Sequence, residues 1–111
     1  MILQGFEMTE LNKIPEEFEI FIPTVRLTIM ILLYNHQKVT FTELQRLLNL
    51  TPGNLDHHLK KLENSNSIRM YKKIFPQRPL TVIEITETGK KSFHEYITIL
   101  KGILNQIDTN Q

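Results

Sequence analysis

From Thr24 to Tyr34, apolar residues fall on nearly every side of a helix, and Arg26 is the one charge among them. A helix that is hydrophobic all round is a buried one, so this segment predicts a central helix. Asn35, His36, Gln37 and Lys38 break the pattern, and a helix start follows. Thr40 as N-cap with Glu43 three residues on forms a capping box, and Val39 with Leu44 forms the hydrophobic staple around it. Leu44, Leu47 and Leu48 share one face, which predicts a short second helix ending near Asn49. The device then recurs: Leu50 precedes a Thr51 cap, Pro52 takes the favoured first helical position, and Leu55 sits at the staple position. In this third helix Leu55, Leu59 and Leu62 turn inward. Asn54, Asp56, His57, Lys60 and Lys61 are left outward, and Asn64 to Ser67 end the helix.

Ile68 to Ile74 and Leu80 to Thr86 are rich in β-branched and aromatic residues. They predict a two-stranded hairpin around the proline-bracketed loop Phe75 to Pro79, with Ile83 and Ile85 alternating with Val82 and Glu84. Thr86 caps a last helix running to about Asp108. Its apolar residues Phe93, Ile97, Leu100, Leu104 and Ile107 follow the spacing of a heptad seam, beside a second row of Tyr96, Ile99 and Ile103. That is more apolar surface than one contact needs. It points to a dimer interface through Phe93, Tyr96, Ile97, Leu100, Leu104 and Ile107, with a helix folded back on its own domain as the alternative. The chain thus divides into a weakly patterned N-terminal extension (1–22), a central domain (23–91) and a C-terminal dimerisation helix and tail (92–111). Phe18, Ile20 and Phe21 of the extension are expected to be buried, covering the dimer interface.

At 111 residues and 41% hydrophobic side chains, the chain supports one core. The longest apolar stretch is far short of the ~18 residues a membrane span needs, and no secretory signal pattern is visible, so no membrane partner and a cytoplasmic location are expected. With no cysteine there is no disulfide, thiolate metal site or thiol nucleophile. The four histidines, His36, His57, His58 and His94, show no metal or nucleophile spacing with a carboxylate, so no enzyme, metal or cofactor is expected.

The net charge of +1 hides a division along the chain. Residues 1–23 hold five acids against Lys13, whereas residues 51–91 hold eight basic residues against four acids. Clustered cations suit a polyanion because counterion release rewards local density of charge; a solvated lysine-rich surface is the alternative.

A short helix joined by a tight turn to a helix with a polar, basic outer face is the helix-turn-helix arrangement, whose second helix enters the DNA major groove. Thr51, Gly53, Asn54 and His57 occupy the first turns, where short polar side chains reach base edges. Gly53 costs a helix ~1 kcal/mol relative to alanine, which suggests close backbone approach to a partner. Lys60 and Lys61 suit phosphates. Asn54 suits adenine, or else a local capping bond. Asp56 suits an ion pair with Lys60, and His58, beside the leucine stripe, suits a structural hydrogen bond. Arg78, held between prolines at a loop tip, suits a narrow minor groove.

The run Leu50-Thr-Pro-Gly-Asn-Leu-Asp-His-His-Leu-Lys-Lys-Leu-Glu63 is followed by Ile68 to Lys73, Arg78-Pro-Leu-Thr81 and Ile85-Thr-Glu-Thr-Gly-Lys90. Together these resemble the winged helix-turn-helix transcriptional regulators of the MarR/ArsR-like group, above all small prokaryotic and archaeal versions. The resemblance spans roughly Val25 to Lys91. It implies a mainly α fold with a small β-hairpin (α+β) and an added C-terminal dimerisation helix. It also implies a homodimeric, sequence-specific regulator of double-stranded DNA, most simply a repressor, with recognition helix 52–63 and a wing at 72–81. Leu80 and Val82 stand where relatives often carry basic residues, so the wing's phosphate contacts would rest on Lys72, Lys73 and Arg78. An unidentified small-molecule effector fits the same picture, although no polar cluster defines its site. The rival readings are a winged-helix module that docks protein and a non-specific architectural DNA-binding protein.

Overall fold

The computed structural model describes residues 16–21, 23–76 and 78–107. In chain order these form a 3-10 helix (Glu16–Phe21), α1 (Thr24–His36), β1 (Lys38–Thr40), α2 (Phe41–Leu48), α3 (Pro52–Asn64), β2 (Ile68–Phe75), β3 (Arg78–Ile85) and α4 (Glu87–Leu104). The fold is the expected α+β winged helix. The apolar helix α1 runs through its centre, with Ile29, Met30 and Leu33 fully enclosed. Leu44 of α2, the Leu55, Leu59 and Leu62 stripe of α3, and Ile68, Ile83 and Ile85 of the sheet close around it. Each such side chain contributes about 1.5–3 kcal/mol by leaving water, so the core rather than helix propensity holds the elements together.

The expected hairpin is a three-stranded antiparallel sheet in the order β1-β3-β2. The added strand arises from a sharp reversal at Gln37. This residue, at φ 74°, donates its amide to the Leu33 carbonyl at 2.8 Å and accepts from the Ile85 amide at 3.1 Å. Lys38, Val39 and Thr40 then pair with Glu84, Ile83 and Val82. Thr40 ends the strand and also caps α2. Its hydroxyl accepts from the Glu43 amide at 3.1 Å while its own amide donates to the Glu43 carboxylate at 2.9 Å, the capping box read from the sequence.

Leu47 departs from expectation. It is 63% exposed, because the eight-residue α2 offers the core one stripe, through Leu44 and the half-buried Leu48. The wing loop is also shorter than expected. Phe75 pairs with Arg78 and Ile74 with Pro79, so β2 and β3 continue through most of the segment read as a loop, and residue 77 lies outside the described residues. β1 reaches only residues 82–84 of β3, which leaves 78–81 in a two-stranded ribbon, where a proline is tolerated.

The chain termini require the largest corrections. Phe18 and Phe21 belong to the central core: Phe21 meets Phe93 edge-on at 5.3 Å between ring centroids, and Phe18 lies 5.9 Å from Tyr96. Phe93 and Tyr96, expected in the dimer interface, are therefore buried within their own chain by residues expected to cover that interface. Helical periodicity marks which positions seek cover but cannot say which segment provides it. Residues 16–21 and the first half of α4 consequently share one core with the central domain instead of flanking it. At the other end α4 stops at Leu104, capped by Asn105, so Ile107 lies beyond the helix rather than on its seam. Ile97 and Leu100 are half-buried, while Leu104 and Ile107 are 49% and 54% exposed. The expectations for residues 1–15 and 108–111 lie outside the described residues.

Candidate nucleic-acid interface

The turn between α2 and α3 is made by Asn49, whose left-handed backbone (φ 52°, ψ 50°) lets Leu50 and Thr51 redirect the chain. Thr51 then caps α3 by accepting from the Asn54 amide at 3.2 Å. The cap uses the backbone of Asn54 and the side chain of Thr51, so the exposed Asn54 carboxamide is not consumed by the local turn that was its alternative role. With Leu55, Leu59 and Leu62 held in the core, the opposite face presents Thr51, Gly53, Asn54, His57, Lys60 and Lys61, all exposed. A methyl group on Gly53 would meet nothing within 4 Å, so nothing inside the molecule demands glycine there.

Asp56 and Lys60 form the expected i,i+4 pair at 3.6 Å with both side chains well exposed. Such a pair is worth about 0.3–0.5 kcal/mol, small enough for a phosphate to displace the carboxylate. His58 takes the structural role expected of it, its Nδ1 lying 3.0 Å from a guanidinium nitrogen of the buried Arg26 in α1. Burial pushes its pKa below the ordinary imidazole value, and the positive charges of Arg26, His57 and Lys61 act in the same direction.

In the wing, Lys72, Lys73 and Arg78 are exposed. Strand alternation places Lys72 on the face that carries Ile68 and Met70 toward the helices, and Lys73 on the other. Arg78 is the first residue of β3, opposite Phe75, rather than the tip of an extended loop. Between wing and α3 lies a depression of about 340 Å³ lined by Phe41, Asp56, Met70, Tyr71, Lys72 and Thr81. α3 and the wing thus border one concave surface. Arg69 and Lys38 are drawn away from it at the foot of the sheet, where both pair with Glu84 and the Arg69 Nε donates at 2.6 Å.

Two features escaped the sequence reading. Arg46 is exposed on the last turn of α2, immediately before the turn. Arg26 is buried, and its Nε donates to the Ile20 carbonyl at 2.6 Å as well as serving His58. A lone arginine in an apolar helix was the available signal. Elsewhere, α1 and α4 enclose a groove of about 420 Å³ in which the Tyr34 hydroxyl lies 3.2 Å from His94 Nδ1. Among the described residues, no group of three or more His, Asp or Glu side chains converges as a metal site, and no helix is long and apolar enough to cross a membrane.

A family described as "Winged helix DNA-binding domain" matches residues 25–104. An uncharacterized protein of Methanocaldococcus jannaschii is 43% identical over 79 residues, covering 71% of this chain and 86% of its own. The fold superposes with a TM-score of 0.79 on the transcriptional regulator homologue of Pyrococcus horikoshii OT3, which is 38% identical over 91% of this chain and 99% of that one. The regulator AbfR in its reduced, DNA-bound form shares the fold at a TM-score of 0.64, with 20% identity over 86% of this chain and 67% of that one. With both helices of the helix-turn-helix, the wing and all of α4 inside the matched segment, the chain belongs to the winged helix DNA-binding domain family, and relatives of it occur in archaea.

Proposed function

We propose that this protein is a sequence-specific, homodimeric regulator of transcription, most simply a repressor, that places α3 in the DNA major groove and its wing along the adjacent backbone and minor groove. The observation that carries the reading is the outer row of α3. Thr51, Gly53, Asn54, His57, Lys60 and Lys61 are exposed together on a helix whose other face is locked into the core, beside a wing bearing Lys72, Lys73 and Arg78. Asn54 and His57 reach base edges, while the lysines and Arg78 engage phosphates. Arg46 adds a phosphate contact from the first helix of the motif, which crosses the backbone in this docking mode.

Self-association rests on the part of α4 not covered by its own chain, through Ile97, Leu100 and Leu104, together with Ile107 just beyond the helix. Two copies would set their recognition helices about 34 Å apart on one face of the duplex. Selection from a pool of random duplexes, at low and near-physiological salt, tests the reading. Enrichment of a pseudo-palindrome with half-sites about ten base pairs apart supports it. Salt-sensitive binding without enrichment indicates an architectural protein, and no binding at low salt indicates a module that docks protein.

A further inference from the structure

Ile74 is 84% exposed, the most exposed of the large hydrophobic side chains among the described residues, and it lies directly opposite the exposed Pro79. The fold has no use for an isoleucine there. This part of the wing extends beyond the reach of β1, and the core hydrophobics of the sheet end with Ile68, Val82, Ile83 and Ile85.

Its direction is set by strand alternation. Ile68, Met70, Lys72 and Ile74 share one face of β2. Ile68 is in the core, Met70 packs against it, and Lys72 lines the depression that also contains Asp56 of α3. Ile74 thus prolongs the side of the sheet that carries the recognition helix. Cations flank it on both faces of the ribbon: Lys72 two residues earlier on the same face, and Lys73 and Arg78, the chain neighbours of Ile74 and Pro79, on the opposite face.

An apolar tip among cations matches a surface with an anionic rim and an apolar floor. The minor groove of duplex DNA has that form, with phosphates along both edges and deoxyribose carbons and hydrogens forming its walls. Apolar side chains are a recurrent means of contacting it. We propose that Ile74, backed by Pro79, seats against the sugar walls of the minor groove next to the half-site read by α3. The contact supplies a portion of the affinity that does not depend on salt. The inference rests on the DNA-binding reading above and adds to it a residue that is neither charged nor on the recognition helix.

The test compares wild type, Ile74→Ser and Lys72→Ala on the duplex selected by wild type, with affinity measured across a salt series and hydroxyl-radical cleavage used to map protected sugars. Ile74→Ser, at a solvent-exposed position, leaves the thermal midpoint unchanged. It is expected to weaken binding about tenfold at every salt concentration with the same salt slope, and to lose one patch of sugar protection outside the major-groove half-site. Lys72→Ala is expected to lower the slope by about one. Wild-type affinity and footprint in Ile74→Ser overturn the inference while leaving the DNA reading standing, as does a changed oligomeric state with unchanged DNA affinity. Failure of wild type to bind any duplex overturns both.

Discussion

The guanidinium of Arg26 and the imidazole of His58 meet at 3.0 Å across 32 residues of sequence, joining the central helix α1 to α3. The second arm of Arg26 holds the Ile20 carbonyl at 2.6 Å, so one buried cation ties the N-terminal 3-10 helix, α1 and α3 together. A guanidinium has only N–H donors. His58 must therefore be neutral, with Nδ1 accepting and the proton on Nε2.

This tautomer makes stability depend on pH in a definite direction. Burial, assisted by Arg26, His57 and Lys61, holds the His58 pKa in the folded protein below the imidazole value of about 6.5 that applies in the unfolded chain. Between those two values the unfolded chain binds more protons, so the contribution of His58 is complete above about pH 6.5 and is lost as pH falls toward the folded pKa. Urea midpoints measured from about pH 7.5 to pH 5 are expected to fall for wild type and to fall less steeply for His58→Gln, which keeps an acceptor and cannot titrate. Parallel declines in the two proteins would exclude His58 as the titrating group.

Two glycines are expected to respond oppositely to a methyl group. At Gly89 a Cβ would lie 2.0 Å from the Ser67 carbonyl oxygen, where the start of α4 is pressed against the turn before β2 and Thr86 binds both segments. Backbone lies on both sides of the contact, so Gly89→Ala is expected to cost at least about 1–3 kcal/mol in chemical denaturation. Gly53→Ala meets open space and is expected to raise stability by up to about 1 kcal/mol. If close approach of the backbone to DNA is the reason for Gly53, the same variant binds its operator more weakly although it is the more stable protein.

On α3 the charged and amide side chains are expected to separate by readout. Lys60→Ala should weaken binding to specific and random duplexes alike and reduce the salt slope by about one, with little effect on folding because its ion pair with Asp56 is exposed. Asn54→Ala should leave the slope in place and relax preference at one base pair, a loss of about 1–3 kcal/mol confined to the specific site. Equal losses on specific and random DNA for Asn54→Ala would remove it as a base reader.

Along α4 the proposed division is between folding and self-association. Phe93→Ala empties a position packed by Phe21, Tyr34 and Tyr96 and is expected to cost about 3–5 kcal/mol of stability. Leu104→Ser, at a half-exposed site, should leave the fold intact and shift light scattering toward the monomer at tens of micromolar. An unchanged mass for Leu104→Ser would remove Leu104 from the proposed dimer contact.

Local signals along the chain were enough to read α1, the Thr40 capping box, the Thr51 cap with Pro52, the inward leucines of α3, the Asp56 and Lys60 pair and the start of α4 at Thr86. Each is decided by residues within a turn or two of one another, where periodicity and capping chemistry act. The outer row of α3 was legible for the same reason, since naming the buried stripe of a helix also names its exposed face. Tertiary structure decided what depends on partners distant in sequence. β1 has three residues, too few for any alternation to register, and exists because β3 offers an edge. Phe93 and Tyr96 carry the same helical period whether their cover comes from another chain or from Phe18 and Phe21. The roles of His57 and His58 diverge because Arg26, buried 32 residues away in sequence, reaches one ring and leaves the other exposed. The sequence by itself determined which faces seek burial, and the packed core determined what meets them, because apolar burial is non-directional and its partners are selected only when all the elements are in place.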